Sequence, residues 1–222
     1  MAKNVLTHNF SEPLNGAAAA KVDIQAGDGN LTIDSLAGGE QLLARGALQY
    51  FENQGLPART LASSNGQAAF TLKGSQAGQS WFHLPWAACN GATEWQIHLN
   101  PAVAADITAH SNGGNVRLDL AGLALTGLSA DTGGGNLDVV LPGKAADLSV
   151  TARTGAGNVT VYVPSGVAAK IQATTGLGKV LVDSLFSKID DHTYQSPNYD
   201  GAAKRVEITA KSGAGNVSII IQ

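Results

Sequence analysis

A short glycine-rich motif recurs along this chain at a nearly constant spacing. Each copy places at least two glycines just before one polar residue. The central polar residues, from Asn115 to Lys179, follow one another at intervals of 21 or 22 residues. A fixed period near 21 predicts a solenoid, in which every repeat forms one coil. The copies end at Asn30, Asn115, Asn136, Asn158, Lys179 and Asn216.

Apolar residues alternate with polar residues on both sides of each motif. After the motif the apolar positions are Val116, Leu118, Leu137, Val139, Val159, Val161, Val180, Val182, Val217 and Ile219. Before it they are Ile107, Ala109, Leu128, Ala130, Val150, Ala152, Ile171, Ala173, Ile208 and Ala210. A period of two predicts two strands per coil, each with one buried face. The column that is always alanine predicts a place where the opposing walls approach too closely for a larger side chain.

The repeat predicts an all-β, single-stranded β-solenoid that forms one domain over residues 1–222. Gln67 and Glu94 fit the polar slot more loosely, which gives about eight coils. Residues 1–93 would form degenerate N-terminal coils, and residues 94–222 regular coils with an insertion at about 184–200. Function is expected on insertions and outward faces, because loops tolerate variation.

The glycine motifs are interpreted as corners and not as phosphate cradles. A dinucleotide fingerprint needs a third glycine and a following helix, whereas TGAGNV runs into a β-branched segment. Asn is expected to turn the chain or to stack its amide on the next coil. Asn is also a weak calcium ligand, so AGDGN with Asp28 is the one loop worth testing for calcium. The sequence predicts no cofactor and no metal.

Two outward columns carry charged residues that an enzyme could use. Arg117, Asp119 and Asp138 fall in or beside one column, and His110, Asp131 and Arg153 in another. A carbohydrate-active β-helix, of the polysaccharide lyase or hydrolase type, would need convergent carboxylates of this kind. Opposite charges on neighbouring coils are read more economically as surface ion pairs. The prediction is therefore a non-enzymatic protein, with the enzyme as the alternative.

Two segments outside the regular repeat are candidates for partner or ligand contacts. The segment WFHLPW offers Trp81 and His83, because Trp86 falls on an inward column. The insertion offers His192, Tyr194 and Tyr199. The alternative is a loop whose aromatic rings simply pack on the last coils.

The overall composition limits the class of partner. The formal net charge is −3 with no basic stripe, which argues against nucleic acid. No signal peptide and no apolar run long enough to span a membrane are visible. As given, the chain is expected to be cytoplasmic, or to be membrane-associated or in the cell envelope if it is part of a longer protein. The single Cys89 excludes an intramolecular disulfide.

Several long segments resemble a known family. LDLAGL, GAGNVTVYVPSGV and TYQSPNYDGAAKRVEITAKSGAGNVSI are similar to the toast-rack domain of LiaF-like proteins, which respond to cell-wall-active antibiotics. They are also similar to the related "putative adhesins" built on a single-stranded right-handed β-helix. The resemblance implies a domain often attached to a membrane segment, and, in the LiaF branch, restraint of a two-component system that senses envelope stress. It implies no catalytic residues.

Together these features predict a rigid, non-enzymatic interaction module, in cell-envelope stress sensing or adhesion. Its partner would be a protein or a cell-envelope component. The last strand, NVSIIIQ, is expected to end the stack and to expose an unpaired apolar edge. That edge predicts either a homo-oligomer through the terminal strand or a cap formed by residues 184–200.

Overall fold

The structure, a computed structural model, describes residues 4–75, 93–144 and 147–222. These residues form nineteen strands and one short 3₁₀ helix, Glu52–Gln54. The strands are β1 (Val5–Pro13), β2 (Ala19–Gln25), β3 (Asn30–Ser35), β4 (Leu42–Phe51), β5 (Ala58–Ser64), β6 (Gln67–Lys73), β7 (Glu94–Leu99), β8 (Ala104–Ser111), β9 (Val116–Asp119), β10 (Leu125–Gly134), β11 (Leu137–Val140), β12 (Leu148–Ala156), β13 (Val159–Val163), β14 (Ala169–Leu177), β15 (Val180–Val182), β16 (Ser187–Lys188), β17 (Thr193–Gln195), β18 (Val206–Ala214) and β19 (Val217–Ile221).

The strands form two sheets that enclose one core. Sheet A has the order β1-β4-β7-β3-β9-β11-β13-β19-β15, and sheet B has the order β16-β17-β14-β18-β12-β10-β8-β2-β6-β5. Most pairs are parallel, and each glycine motif is the corner where the chain passes from sheet B to sheet A. The predicted all-β solenoid with two strands per coil is therefore confirmed.

The alternating pattern places the predicted apolar columns in the core. The alanine column runs in register through Ala109, Ala130, Ala152, Ala210 and Ala173, each at most 1% exposed. On the next strand along, β2, the same column holds Ile24, and on β6 it holds Leu72. A small residue is therefore required in this column only on some of the rungs, and the other rungs accommodate a larger side chain.

The order of the rungs differs from the order of the repeats along the sequence. A rung is one strand of sheet B with its successor in sheet A, and the described residues form seven. Gln67 begins β6 in sheet B and Glu94 begins β7 in sheet A, so these two predicted slots are the two sides of one rung. Both strands are apolar at every second residue, and such a pattern alone does not say which sheet a strand joins.

The expectation that the final strand ends the stack is wrong. β19 lies between β13 and β15 and pairs with both, so it has no free edge. The chain leaves the stack after β15, forms β16 and β17, and returns to insert β18 and β19 between two earlier rungs. A period of 21 residues from Asn158 to Lys179 suggested adjacent rungs, but Asn216 lies between them.

Antiparallel strands end the stack in three places. β4 pairs with β7 and β1 with β4, β5 pairs with β6, and β17 pairs with β14. Residues 184–200 thus cap β14 of sheet B at one end, and do not cover the final strand, β19, as one of the two predicted alternatives has it. Sheet A ends there in β15. In the ranges that the structure describes, no helix has the length and apolar character needed to cross a membrane.

Candidate functional site

In each corner, the glycine directly before the polar slot lies against the backbone of a neighbouring rung. A Cβ added at Gly157 would collide with the backbone carbonyl oxygen of Gly135 in the next rung, and Gly215 has the same relation to Gly157. Gly157 also has φ +143°, which L side chains rarely adopt. The glycines therefore allow one backbone to pass close to another, as the architectural interpretation predicts.

Two ladders of hydrogen bonds occupy the same corners. In the first, the side-chain oxygen of each motif Asn accepts the backbone N–H of the slot residue in the next rung. The pairs are Asn30–Asn115, Asn115–Asn136, Asn136–Asn158, Asn158–Asn216 and Asn216–Lys179, with Oδ1···N distances of 2.9–3.0 Å. In the second, a Ser or Thr hydroxyl donates to a glycine carbonyl of the neighbouring rung at 2.7–2.8 Å: Ser111 to Gly29, Thr132 to Gly114, Thr154 to Gly135, Ser212 to Gly157 and Thr175 to Gly215.

Asp28 lies exposed at the corner before β3. Across residues 4–75, 93–144 and 147–222, no three His, Cys, Asp or Glu side chains lie close enough together to hold a metal ion. The arrangement at this corner thus supplies one carboxylate, whereas calcium takes six to eight oxygen ligands.

The charged columns lie on the outward faces of the sheets. On sheet A, Asp138 is in register with Arg117, and Asp119 lies beside Val140. On sheet B, Nδ1 of His110 contacts a carboxylate oxygen of Asp131, and Arg153 follows Asp131 in register. Each candidate carboxylate thus lies on an outward sheet face, in register with a residue that is not a carboxylate.

His110 has an altered proton affinity for identifiable reasons. Burial by itself lowers the pKa of this imidazole, but two acceptors outweigh it. Nε2 lies 2.9 Å from the side-chain oxygen of Asn112, and the Asp131 carboxylate contacts Nδ1. The net effect raises the pKa of His110 above its ordinary value, because both acceptors favour the doubly protonated ring.

The predicted contact residues of the insertion lie in the cap on sheet B and do not form one cleft. His192 is exposed, and its backbone carbonyl accepts the N–H of Ala173. Tyr194 lies on β17 opposite Ile171 and packs against the core. Tyr199 is buried, and its hydroxyl donates to Glu207 at 3.2 Å. A contact role for these three residues stays a prediction.

Tyr199 has packing partners within the cap. The guanidinium carbon of Arg205 lies 5.4 Å from the centre of its ring. Burial, followed by the nearby Glu207 carboxylate, raises the pKa of the Tyr199 hydroxyl. Trp81 and His83 lie outside the described residues.

Most of the large apolar side chains that are exposed in the described residues lie towards one end of the stack. Seven large apolar side chains are exposed in the part of the chain that the structure covers, and five lie here: Leu177, Leu181, Leu185, Ile189 and Ile220. We call β15 together with these five residues the open end. Leu177 is 75% exposed and Leu185 is 61% exposed. Exposed apolar side chains that are concentrated in one part of a protein are typical of an interaction site.

Sequence reasoning did not single out the open end, although a signal was present. Leu181 occupies an outward column that holds Arg117, Asp138, Thr160 and Ser218 on the neighbouring strands. Its departure from this polar pattern is visible in the sequence. That it lies at the end of a sheet is not, because the rung order differs from the sequence order.

The two parallel-rich sheets, joined at stacked glycine corners, define a solenoid-like β-stack whose open surfaces are its outward faces and ends. The family model for the N-terminal domain of toast_rack matches residues 2–162, more than half of the chain. The chain therefore belongs to the Toast_rack_N family, and the resemblance seen in the sequence is confirmed. The model for the C-terminal region of LiaF, a protein of the cell wall-active antibiotics response, matches residues 135–219.

A solved structure shares this architecture. The crystal structure of a "putative cell adhesion protein" from Clostridium sporogenes aligns with a TM-score of 0.88 and 23% sequence identity, over 99% of this chain and all of that chain. At this identity the similarity shows the fold. A "putative adhesin" from Bacteroides fragilis aligns over 99% of this chain and 98% of that chain, with 12% identity and a TM-score of 0.36. None of the curated proteins matches.

Proposed function

We propose that this protein is a non-enzymatic, rigid interaction module that binds a protein partner through its open end. The main support for this proposal is that five of the seven exposed large apolar side chains of the described residues lie at that end. Elsewhere the outward columns mix Thr, Ser, Asp, Arg and Lys, as a solvated surface does. A stiff body with one apolar end suits a protein that presents a binding surface to a partner.

The setting that we propose is the cell envelope, in stress sensing or adhesion. The match to the LiaF C-terminal region supports the first role, and the description of the Clostridium sporogenes protein supports the second.

Site-specific photo-crosslinking in the native host tests the proposal. A photoreactive residue at Leu185, in the open end, should give covalent adducts with another protein. The same residue at Ser63, exposed on β5 at the opposite end, is the matched control. Adducts from Leu185 and none from Ser63 would support a binding role for the open end. Equal labelling at both positions, or no adduct at either, would contradict it.

The alternative of a carbohydrate-active enzyme is tested separately. Asp119 and Asp138 lie on the outward face of sheet A, out of register with each other, and Asp131 lies on sheet B, whereas glycoside hydrolysis needs two carboxylates that flank one bond. A screen of envelope and plant polysaccharides should therefore detect no turnover. Robust activity that is lost in an Asp138→Asn variant would replace the module by an enzyme.

A further inference from the structure

We propose that the free edge of β15 binds an extended segment of a partner protein, which adds one antiparallel strand to sheet A. The proposal rests on the proposed function and deepens it by naming the chemistry of the partner. The ligand is a stretch of main chain with apolar residues at alternate positions. Such strand addition draws affinity from backbone hydrogen bonds and specificity from alternate side chains.

The backbone of β15 has one occupied and one free side. The carbonyl of Lys179 accepts the N–H of Val217 at 2.9 Å, and the N–H of Asp183 donates to the carbonyl of Ile219 at 3.0 Å. Bonding directions alternate along a parallel strand, so Leu181 also faces β19. The N–H and C=O groups of Val180 and Val182 therefore point to the other side. No described strand lies there.

Sheet B continues past the point where sheet A stops. Beyond β14 it adds β17 and then β16, whereas β15 is the last described strand of sheet A. Phe186 is buried in the core cluster at this end, and Val180, Val182 and Tyr194 are only partly buried although they pack against it. A strand beside β15 would lie opposite β17, and its inward side chains would pack against these apolar residues.

The outward side of the site is also apolar. Leu181 is 53% exposed and points away from the core, because Val180 and Val182 point inward. Leu177 and Leu185 lie exposed at the two ends of the segment that contains β15. A bound strand could thus bury apolar side chains on both faces, which favours a partner segment rich in Val, Ile or Leu.

The geometry favours an antiparallel partner. The strands β4, β5 and β17, which are added to the stack at its other sheet ends, all pair antiparallel with the last strand of a rung. A parallel strand would normally continue the Asn ladder, in which each side chain accepts the next backbone N–H. Lys179 ends that ladder because an ammonium group has no acceptor.

The other outermost strands are less suited to strand addition. β5 presents mostly exposed small and polar residues, β16 has only two residues, and β1 presents Thr7, Asn9 and Ser11 on its outer face. Short, polar edges are the usual protection against unwanted pairing. β15 is also short, with three residues, but among these four edges it alone consists only of Val and Leu.

Peptide binding followed by NMR tests the proposal. The probe is a synthetic heptapeptide with the sequence of residues 158–164, acetylated and amidated, because this segment already forms a strand of sheet A. We expect shifts of the amide signals of residues 180–183 and a dissociation constant on the order of 0.1–1 mM. The Val182→Pro variant removes one N–H on the free side and should weaken binding by about tenfold or more, the effect of one lost hydrogen bond.

Two controls separate backbone pairing from side-chain contact and from misfolding. Val182→Thr keeps the N–H and changes only the side chain, so it should weaken binding less than Val182→Pro does. A peptide N-methylated at alternate residues should not bind the unaltered protein, whatever the stability of the proline variant. A spin label on the peptide's N-terminus should broaden signals near Asp183 more than signals near Lys179 if the pairing is antiparallel.

The outcomes distinguish this proposal from the proposed function. Absence of binding, equal binding of the N-methylated peptide, or broadening strongest near Lys179 would overturn antiparallel strand addition. Leu185 adducts in the host would in that case still support the interaction module. Conversely, peptide binding without host adducts would keep the strand site and remove the support for a partner in the cell.

Discussion

The corner slot of an interior rung and the same slot at the open end follow similar glycine turns but hold different residues. Asn158 accepts the backbone N–H of Asn216 in the next rung, whereas none of the described rungs lies beyond Lys179. The Asn is thus required by the neighbouring rung and not by its own turn. Contacts between rungs therefore determine which residue occupies the slot of an interior rung. The slot at the open end is not under that constraint.

The largest expected effect concerns the backbone contact between interior rungs. Gly157→Ala would place a Cβ against the carbonyl oxygen of Gly135 at a φ of +143°. Overpacking and backbone strain together should lower the free energy of unfolding by about 3–5 kcal/mol. Urea denaturation measures the loss. Gly166→Ala is the control, because Gly166 has φ +82° but open space around it, and strain alone should cost about 1–2 kcal/mol.

The alanine column gives the next largest effect. Ala152→Leu inserts a larger side chain where the residue is fully buried, and should destabilise the protein by about 1–3 kcal/mol. The matched change Ala121→Leu, at an exposed position, should alter the free energy of unfolding by less than about 0.5 kcal/mol. Equal effects of the two substitutions in thermal or urea unfolding would contradict the close approach of the walls.

The fold could be predicted from the sequence in those features that depend on local alternation. The buried columns, the glycine corners and the stacked Asn side chains follow from period two and from backbone sterics. The rung order could not be predicted, because every rung presents nearly the same edge to its neighbours. Exchange of two rungs therefore changes no local pattern, and Asn216 fits between Asn158 and Lys179 as well as at the end.

The candidate site could be predicted only in part for the same reason. The insertion with Tyr194 and Tyr199 is visible as a break in the period, and the structure places it as a cap. The open end depends on which strand lacks a neighbour, and this is a property of the whole stack. Leu181 gave the one local signal, as an apolar residue in a polar column.

A smaller effect compares the two slots directly. Asn158→Ala leaves the N–H of Asn216 to water and should cost about 0.5–1.5 kcal/mol. Lys179→Ala removes a side chain on which none of the rungs in the described ranges depends, and should change stability by less than about 0.5 kcal/mol. If both substitutions cost the same in parallel urea titrations, the ladder contributes nothing and the contrast between interior and end fails.

The smallest effect depends on pH and concerns His110 and Asp131, whose side chains pair on two neighbouring inner strands of sheet B. Because the folded-state pKa of His110 is raised, its stabilising contribution is complete below the unfolded-state pKa of about 6.5 and disappears as pH rises through the folded value. His110→Gln should therefore destabilise the protein by about 0.5 kcal/mol near pH 5.5, since the pair is part-exposed, and by less near pH 8.5. A loss that is larger at high pH would contradict the assigned partners.

Amide hydrogen exchange along β15 tests the central claim most directly. In the protein without a partner, the N–H groups of Leu181 and Asp183 are bonded to β19 and should exchange slowly. Those of Val180 and Val182 face the free side and should exchange much faster. Alternating fast and slow exchange is the result we predict, with protection of both valines when a strand binds. Uniform protection of residues 180–183 in the protein alone would show that the edge is already occupied, and would contradict the open end as a binding site.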